Sequence, residues 1–585
     1  MEITKNEITD KNKKYTLFPF TKQRYAVPEI YESGEGIYIY DIEGNKYMDL
    51  ASQYVNVNIG YGNEEVIQAA IEQMRKMHYC KPVDGTEIRG KFCEKLITEV
   101  APSNMKKIFL TLGGSDANDS AVRIAKAVTG RKKIFSQYSS YHGATIGAAN
   151  ISGDHERIRE RLEHPDYIHF IGYNTKKLEK YFENKDDYCD FLLEILEEQI
   201  LLEGFHTIAA ICFETISLGN IAIPAKRYYE GVRKLCDKYG ILLIFDEVLV
   251  GFGRTGKWFA CEHFNIQPDI MTFAKGVTSS YIPLGGVMVN ERIANKLEGI
   301  SFNVGFTCSF HPVACAVGYA VVNYMQREHV VENAEKVGLY LKKKLEEKIL
   351  PCAYVDEIRG IGLLQAILLS GKMNCYSAAA AFCEILKEKG YVTWVDRTAI
   401  LIAPPLIIKE EQIDQFVEDL RNIFLQLENE KYMEKIEFYP QEASNGAEAF
   451  YSLSYVEKMA DILRDFNHVL ILGSARLLIL RIVLAAVQAA KKKYGIYVCK
   501  KIYEQLEEEK AHSIFFDGQR FDVREQLGQV LHMQKEEKYD CVLMPYGRDD
   551  QEWGNVYEVA KAFEVPIFLI LKDGTIRELT REFSE

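Results

Sequence analysis

Between residues 106 and 247 the chain keeps returning to short apolar runs, KIFLTL, KKIFSQ, TIAAICFE and ILLIFDE. Longer amphipathic stretches such as DANDSAVRIAKAVTG separate them. Each run is too short for a core helix and alternates little, which is how a strand reads when both of its faces are covered. The pattern predicts a mostly parallel sheet with helices on both faces, from about residue 60 to about residue 330. EEVIQAAIEQMRKM predicts one of the helices.

The flanks differ. Ahead of the sheet, GIYIYDIEGNKYMDL alternates apolar and polar residues and predicts a strand pair turning at Glu43-Gly44-Asn45. After it, VDEIRGIGLLQAILL, SAAAAFCEILKEKG and EEQIDQFVEDLRNIFLQLENE predict a smaller α+β unit over 335–430. Residues 431–448, polar and carrying Pro440 and Gly446, read as a linker. HVLILGSA, YGIYVCKK, KYDCVLMPYG and VPIFLIL then predict a second, smaller α/β domain over 449–585, Rossmann-like or flavodoxin-like.

Composition narrows the function. The 585 residues carry a net charge of −13 without a long basic run, which argues against a nucleic-acid partner. Thirteen cysteines include no C-x-x-C, so neither a zinc site nor a redox pair is signalled, and no metal is expected. The polar start, MEITKNEITDKNKK, is no signal peptide. Val469–Ala490 is long enough to span a bilayer, but Arg476 and Arg481 lie in its middle. Each would cost about 2.5–3.5 kcal/mol at the bilayer centre, so a buried strand–turn–helix is expected. A cytoplasmic protein without membrane contact follows as the expectation.

Three pieces carry chemistry. In FLTLGGSDANDSAVRIAK a strand runs into Gly113-Gly114-Ser115 and a helix, offering free N–H groups and the positive end of a helix dipole to a phosphate. Alone this is a weak signal, because many strand–glycine–helix turns only turn. Tyr141-His142-Gly143 follows a strand, where an aromatic ring can stack on a flat ligand or simply pack. The strand ILLIFDE ends in Asp246-Glu247, and 29 residues after Asp246 the next strand ends in Lys275-Gly276. Carboxyl ends of parallel strands are where α/β folds hold ligands. A lysine buried there is driven toward its neutral, nucleophilic form. Schiff-base lysine, carboxylate and phosphate turn are together what pyridoxal 5′-phosphate requires.

Over roughly residues 15–430 the chain resembles the class III aminotransferases, pyridoxal-phosphate enzymes of fold type I. The resemblance rests on GIYIYDIEGNKYMDLASQYVNVNIGYGNEEV, GGSDANDSAVRIAK, YHGAT, FETI, DEVLVGFGRTG, FAKG, IPLGG, TCSFHPVACA and APPLII, in that order. It implies that residues 1–60 belong to the small domain, that 61–334 form the large cofactor-binding domain and that 335–430 complete the small one. Lys275 is implied to link the cofactor and Asp246 to pair with its ring nitrogen. Gly114 and Ser115 are implied to bind its phosphate, with Tyr141 and Val248 on the two ring faces. His142 and Glu214 are implied to complete the cofactor site. Thr307 matches a threonine that reaches the neighbouring subunit's phosphate, which implies a homodimer with shared sites.

Departures bear on the substrate. Leu249 stands where many members have glutamine, and Leu401 where many have a carboxylate-binding arginine. Arg397 lies a few residues upstream, in VDRTAILIAPPL, and that string, together with the distant strings GVTSSYIPLGG and LASQYVNVNIGY, looks like the subgroup containing taurine–oxoacid aminotransferases. Arg397 is therefore the candidate anion anchor, with a surface salt-bridge role as the alternative. The implied activity is transfer of an amino group from an amine or amino-acid donor to an oxo acceptor in two half-reactions. An aminomutase, epimerase or decarboxylating enzyme of the same fold is the alternative. The added C-terminal domain reads as a nucleotide-binding, substrate-binding or docking module.

Overall fold

The computed structural model describes residues 5–427 apart from 22, 24–25, 155–163, 174–178, 180, 219–220 and 375. Beyond them it describes only six strands, so the linker 431–448, the turn after Gly473 and Tyr546–Asp550 lie outside the described residues. The chain separates into two compact units. One comprises Met1–Thr16, Val27–Asn374 and Phe382–Leu427; the other comprises Leu17–Ala26, Cys375–Ala381 and Glu428–Glu585.

In the first unit, β1 (Tyr31–Glu35), β2 (Tyr38–Asp41) and β3 (Lys46–Asp49) form an antiparallel meander. The turn between β2 and β3 closes on Asp41, whose Oδ1 accepts the N–H groups of Glu43 and Asn45. The central sheet follows: β4 (Met105–Thr111), β5 (Lys133–Gln137), β6 (Tyr167–Phe170), β7 (Ile208–Glu214), β8 (Leu242–Asp246), β9 (Ile270–Phe273) and β10 (Gly285–Asn290). Its strand order is β4-β10-β9-β8-β7-β5-β6, and β10 alone runs antiparallel to its neighbours. Every residue of β7, β8 and β9 is buried, which explains their unbroken apolar sequences.

The helix Gly114–Thr129 packs Ala117, Ala121, Ile124 and Ala125 into one cluster with Ala210, Ile244, Ile270 and Val287. It ends at Gly130, whose φ of 68° supplies the left-handed residue that closes a helix without a Cβ penalty. A third sheet has the order β11-β12-β15-β14, from β11 (Val355–Ile361), β12 (Leu364–Leu369), β14 (Trp394–Asp396) and β15 (Ala399–Ile402). Between them β13 (Tyr391–Val392) joins β3 in parallel, so the chain start and the 390s share one sheet.

The second unit holds β16 (His468–Gly473), β17 (Lys493–Cys499), β18 (Ser513–Phe516), β19 (Cys541–Pro545), β20 (Ile567–Ile570) and β21 (Ile576–Glu578). Their order is β18-β17-β16-β19-β20-β21, parallel throughout except that β21 opposes β20. Among the described residues no helix is long and apolar enough to cross a membrane.

Candidate active site

Parallel pairing brings residues distant in sequence onto one line. Glu214, at the end of β7, is in register with Asp246 at the end of β8, and Asp246 with Thr272 in β9. Just beyond, the chain leaves the sheet in a tight turn, Lys275–Val277. Lys275 takes φ +47° there, a left-handed conformation that costs a non-glycine residue about 1–3 kcal/mol and must be held by its surroundings.

Asp246 is 5% exposed and fully engaged on one oxygen. Its Oδ2 accepts from Asn118 Nδ2 at 2.8 Å and lies 2.8 Å from His142 Nδ1. Its Oδ1 accepts the Val248 N–H at 2.9 Å. A carboxylate has about four acceptor positions, so three donors leave one on Oδ1. That remaining position suits a protonated ring nitrogen.

Neighbours fix the donors in turn. Asn118 Oδ1 accepts from Thr272 Oγ1 at 2.8 Å, and its Nδ2 also reaches the His142 carbonyl at 2.7 Å. His142 Nε2 lies 3.3 Å from Ser136 Oγ. Burial by itself lowers the His142 imidazolium, but the hydrogen bond and charge of Asp246 outweigh it, and the pKa rises above the usual histidine value. The sequence reading did not single out Asn118, Thr272 or Ser136. A polar Asn118 on the apolar face shared by Ala117, Ala121 and Val122 was the available signal.

The other carboxylates differ in kind. Burial pushes Glu214 up to about 7, with Asp246 adding to the rise and His142 opposing it. Ser217 Oγ donates to Glu214 Oε2 at 2.9 Å. Glu247 points elsewhere: it accepts the N–H groups of Ala260 and Cys261, both at 2.9 Å, and braces the segment after β8. Burial pushes the Lys275 ammonium down to about 8, against the pull of Asp246 and Glu214 and with help from Arg254. Protein surrounds Lys275, yet its side chain keeps partial access to solvent, as an amine that meets substrate requires.

The glycine turn lies against the same wall. A Cβ on Gly114 would sit 2.8 Å from Val248 Cγ1, and one on Gly143 would sit 2.4 Å from Ser115 Oγ. Ser115 Oγ accepts the Ala144 N–H at 3.1 Å, tying the helix start to the segment that carries Tyr141 and His142. Gly114, Ser115, His142, Asp246 and Val248 are thus linked by contacts, and Glu214 and Lys275 join them through strand register. The close approach at Gly114, the open acceptor on Asp246 and the amine of Lys275 fit pyridoxal 5′-phosphate.

Three residues stand apart. Tyr141 is 37% exposed beside His142. Thr307 is exposed in the segment before the helix Pro312–Arg327, and its carbonyl accepts from Tyr79 Oη at 3.0 Å. Arg397 is exposed, with φ +55°, in the turn of the β14–β15 hairpin, whereas Leu401 is buried within β15.

Known proteins resemble this chain in sequence and fold. The profile of the family described as Aminotransferase class-III matches residues 20–424. A putrescine–pyruvate aminotransferase of Pseudomonas aeruginosa is 34% identical over 406 residues, 66% of this chain and 88% of that protein. A taurine–pyruvate aminotransferase of Bilophila wadsworthia is 32% identical over 462 residues, 73% of this chain and 99% of that protein. The solved taurine:2-oxoglutarate aminotransferase of Bifidobacterium kashiwanohense, in complex with PLP and glutamate, superposes with a TM-score of 0.70 at 37% identity. That match covers 73% of this chain and 99% of the solved one. With a family match over most of its length and a site that fits the pyridoxal cofactor, the chain belongs to the class III aminotransferases.

Proposed function

We propose that the protein transfers an amino group from an amine or amino-acid donor to an oxo acid, with Lys275 and Asp246 at the reacting centre. The observation that carries this reading is the line of Glu214, Asp246 and Thr272 in register, with Lys275 just beyond it. Bound at this line, pyridoxal phosphate supplies an electron sink that acidifies the Cα–H bond of the donor. Lys275 Nζ accepts that proton and donates it back, a shuttle that needs a neutral amine, and a pKa near 8 leaves part of the amine neutral at neutral pH. Asp246, held by Asn118, His142 and the Val248 N–H, keeps a fixed negative charge for the ring nitrogen. Gly114 and Ser115 at the helix start take the phosphate. Tyr141 and Val248 flank the ring, and Glu214 lies next to Asp246.

Arg397 is proposed as the anchor for an anionic substrate group, supported by its exposed place on the β14–β15 turn while Leu401 is committed to the sheet. Thr307 is proposed to complete the phosphate site of a second copy in a homodimer. In support, its partner Tyr79 lies between Met77 and Val83, and all three are exposed apolar residues.

The test is a donor screen with taurine, putrescine, glutamate and alanine against pyruvate and 2-oxoglutarate, read by mass spectrometry of the amine and oxo products. Matched formation of both is expected from wild type, and an aminomutase or epimerase would form no oxo product. Lys275→Ala should abolish turnover, and a variant retaining about a tenth of the rate would reject Lys275 as the proton carrier. Asp246→Asn should bind cofactor yet lose most of its activity.

The second unit is proposed to be a doubly wound domain that binds a nucleotide. Its support is the strand order, which in chain order runs 3-2-1-4-5-6 and reverses direction between β16 and β19. Ligands bind outside the carboxyl ends of the two strands at such a reversal, here Gly473 and Pro545. Equilibrium dialysis of the full chain with ATP and with NAD should detect binding that Gly473→Asp removes. Absence of binding by both probes would reject the proposal.

A further inference from the structure

We propose that Arg254 is a positioning residue for Lys275, acting as a buried cation that presses Asn58 against Gly276 and so fixes the turn that presents the lysine amine. The proposal rests on the reading of Lys275 given above. Arg254 is 0% exposed, and all of its described hydrogen-bond partners are neutral. Nη1 donates to the carbonyls of Leu363 at 2.9 Å and Pro404 at 2.6 Å. Nη2 donates to Ser52 Oγ at 3.3 Å and Asn58 Oδ1 at 3.0 Å. Among the described residues no carboxylate is bonded to this guanidinium; burial pulls its pKa down to about 9, and Asp49 opposes that through charge alone. Desolvating it is expensive, and an apolar residue of similar volume would fill the space more cheaply. A role for the charge or for the donor geometry is what this arrangement calls for.

The path to Lys275 is short. Asn58 is 1% exposed, and its Nδ2 donates to the Phe252 carbonyl at 2.7 Å, so both ends of its amide are held. A Cβ on Gly276 would lie 2.3 Å from Asn58 Nδ2, which places the amide directly against the backbone that follows Lys275. The same strip of chain grips the turn further along. Ile59 N–H donates to Ser279 Oγ at 3.0 Å, and Asn56 Nδ2 donates to Ser280 Oγ at 2.6 Å. Lys275, Ser279 and Ser280 all have positive φ, at 47°, 48° and 59°, so the turn stores strain that these contacts must hold. Charge acts in the same direction. Apart from burial, the groups that act on Lys275 are Asp246 from β8 and Glu214 from β7, which raise its pKa, and Arg254, which lowers it.

The experiment uses the cofactor-free protein, so that it does not depend on turnover. Modification of Lys275 by trinitrobenzenesulfonate is followed against pH by peptide mass spectrometry. The wild-type midpoint is expected at about 8. In Arg254→Met the midpoint should rise by about half a unit or more, because a nearby positive charge has gone. A folded Arg254→Met with the wild-type midpoint overturns the electrostatic part. Asn58→Ala tests the contact whether or not Arg254→Met folds. It should keep the midpoint while kcat of the holoenzyme falls about tenfold at unchanged KM for the donor, because the amine is presented less accurately. Wild-type kcat in Asn58→Ala overturns the positioning role. If Lys275→Ala still turns over, the parent reading fails instead, and the two failures are distinguished.

Discussion

His142 and Asp246 meet at 2.8 Å, Nδ1 to Oδ2, where the histidine side chain is wholly shielded from solvent. The charge on Asp246 therefore has its counter-charge inside the protein, on the side away from the ring it is proposed to face. His142→Phe should leave the fold intact and lower kcat about tenfold to a hundredfold, since a hydrogen bond to a charged group contributes about 1.5–3 kcal/mol. The histidine pKa is raised in the fold, so this pair stabilises fully below the unfolded value of 6.5 and loses that contribution as pH rises through the folded value. Urea unfolding of the cofactor-free protein above pH 6.5 should show that decline in wild type and a smaller one in His142→Phe.

Glu214 carries the opposite linkage to an ordinary ion-paired carboxylate. Burial raises it from 4.5 to about 7, so between those values the folded protein binds more protons than the unfolded chain. Stability from this group is present below pH 4.5 and is lost by about pH 7. Glu214→Gln keeps the shape and removes the titration. Its unfolding midpoint relative to wild type should therefore rise across that window, and a constant difference would refute the shift.

Gly114 leaves no room for a side chain toward Val248. Gly114→Val would drive a Cβ to within 2.8 Å of Val248 Cγ1 and displace the side chain proposed to cover the ring. Cofactor affinity, measured by fluorescence titration of the cofactor-free protein, should fall at least tenfold, about 1.4 kcal/mol. Melting of the cofactor-free variant should change little.

Arg397 is tested through its substrates. Arg397→Ala should raise KM for carboxylate- or sulfonate-bearing substrates at least tenfold, because truncating one partner of a charged pair typically costs about 2–5 kcal/mol. Putrescine, which carries no acid group, should be unaffected. Unchanged kinetics for every anionic substrate would remove Arg397 from the site.

Thr307 ties cofactor binding to assembly. If it completes a neighbour's phosphate site, Thr307→Ala should weaken cofactor binding, and dilution into monomers should do the same. Sedimentation velocity with parallel cofactor titration reads both, and a monomer with undiminished affinity would contradict the shared site.

Much of this was legible in the sequence because strands covered on both faces leave unbroken apolar runs, and Glu214, Asp246 and Lys275 interrupt the ends of such runs with charge. Asn118 and Thr272 were harder. Neither carries a charge, and their meaning depends on which strand lies beside which helix, a pairing that local patterns do not encode. Arg254 was visible only as one letter of a motif. Its neutral partners come from residues 52, 58, 363 and 404, and no window of sequence contains them together.

That spread has a consequence for how the protein is made. The guanidinium of Arg254 gathers its partners from both ends of the first unit, and Ser52 Oγ also donates to the Ala403 carbonyl across 351 residues of chain. Loops of that length close late, since their entropy must be overcome before the contacts reward it. During synthesis the sheet around Asp246 can begin to form while the segment carrying Pro404 is still inside or behind the ribosome. Arg254 then lacks the Pro404 carbonyl, one of the four acceptors that hold it. A chain arrested before residue 404 should accumulate as an intermediate with most of its strands and a less firmly held lysine turn, and time-resolved hydrogen exchange during refolding should find the amides of residues 275–280 among the last to gain protection.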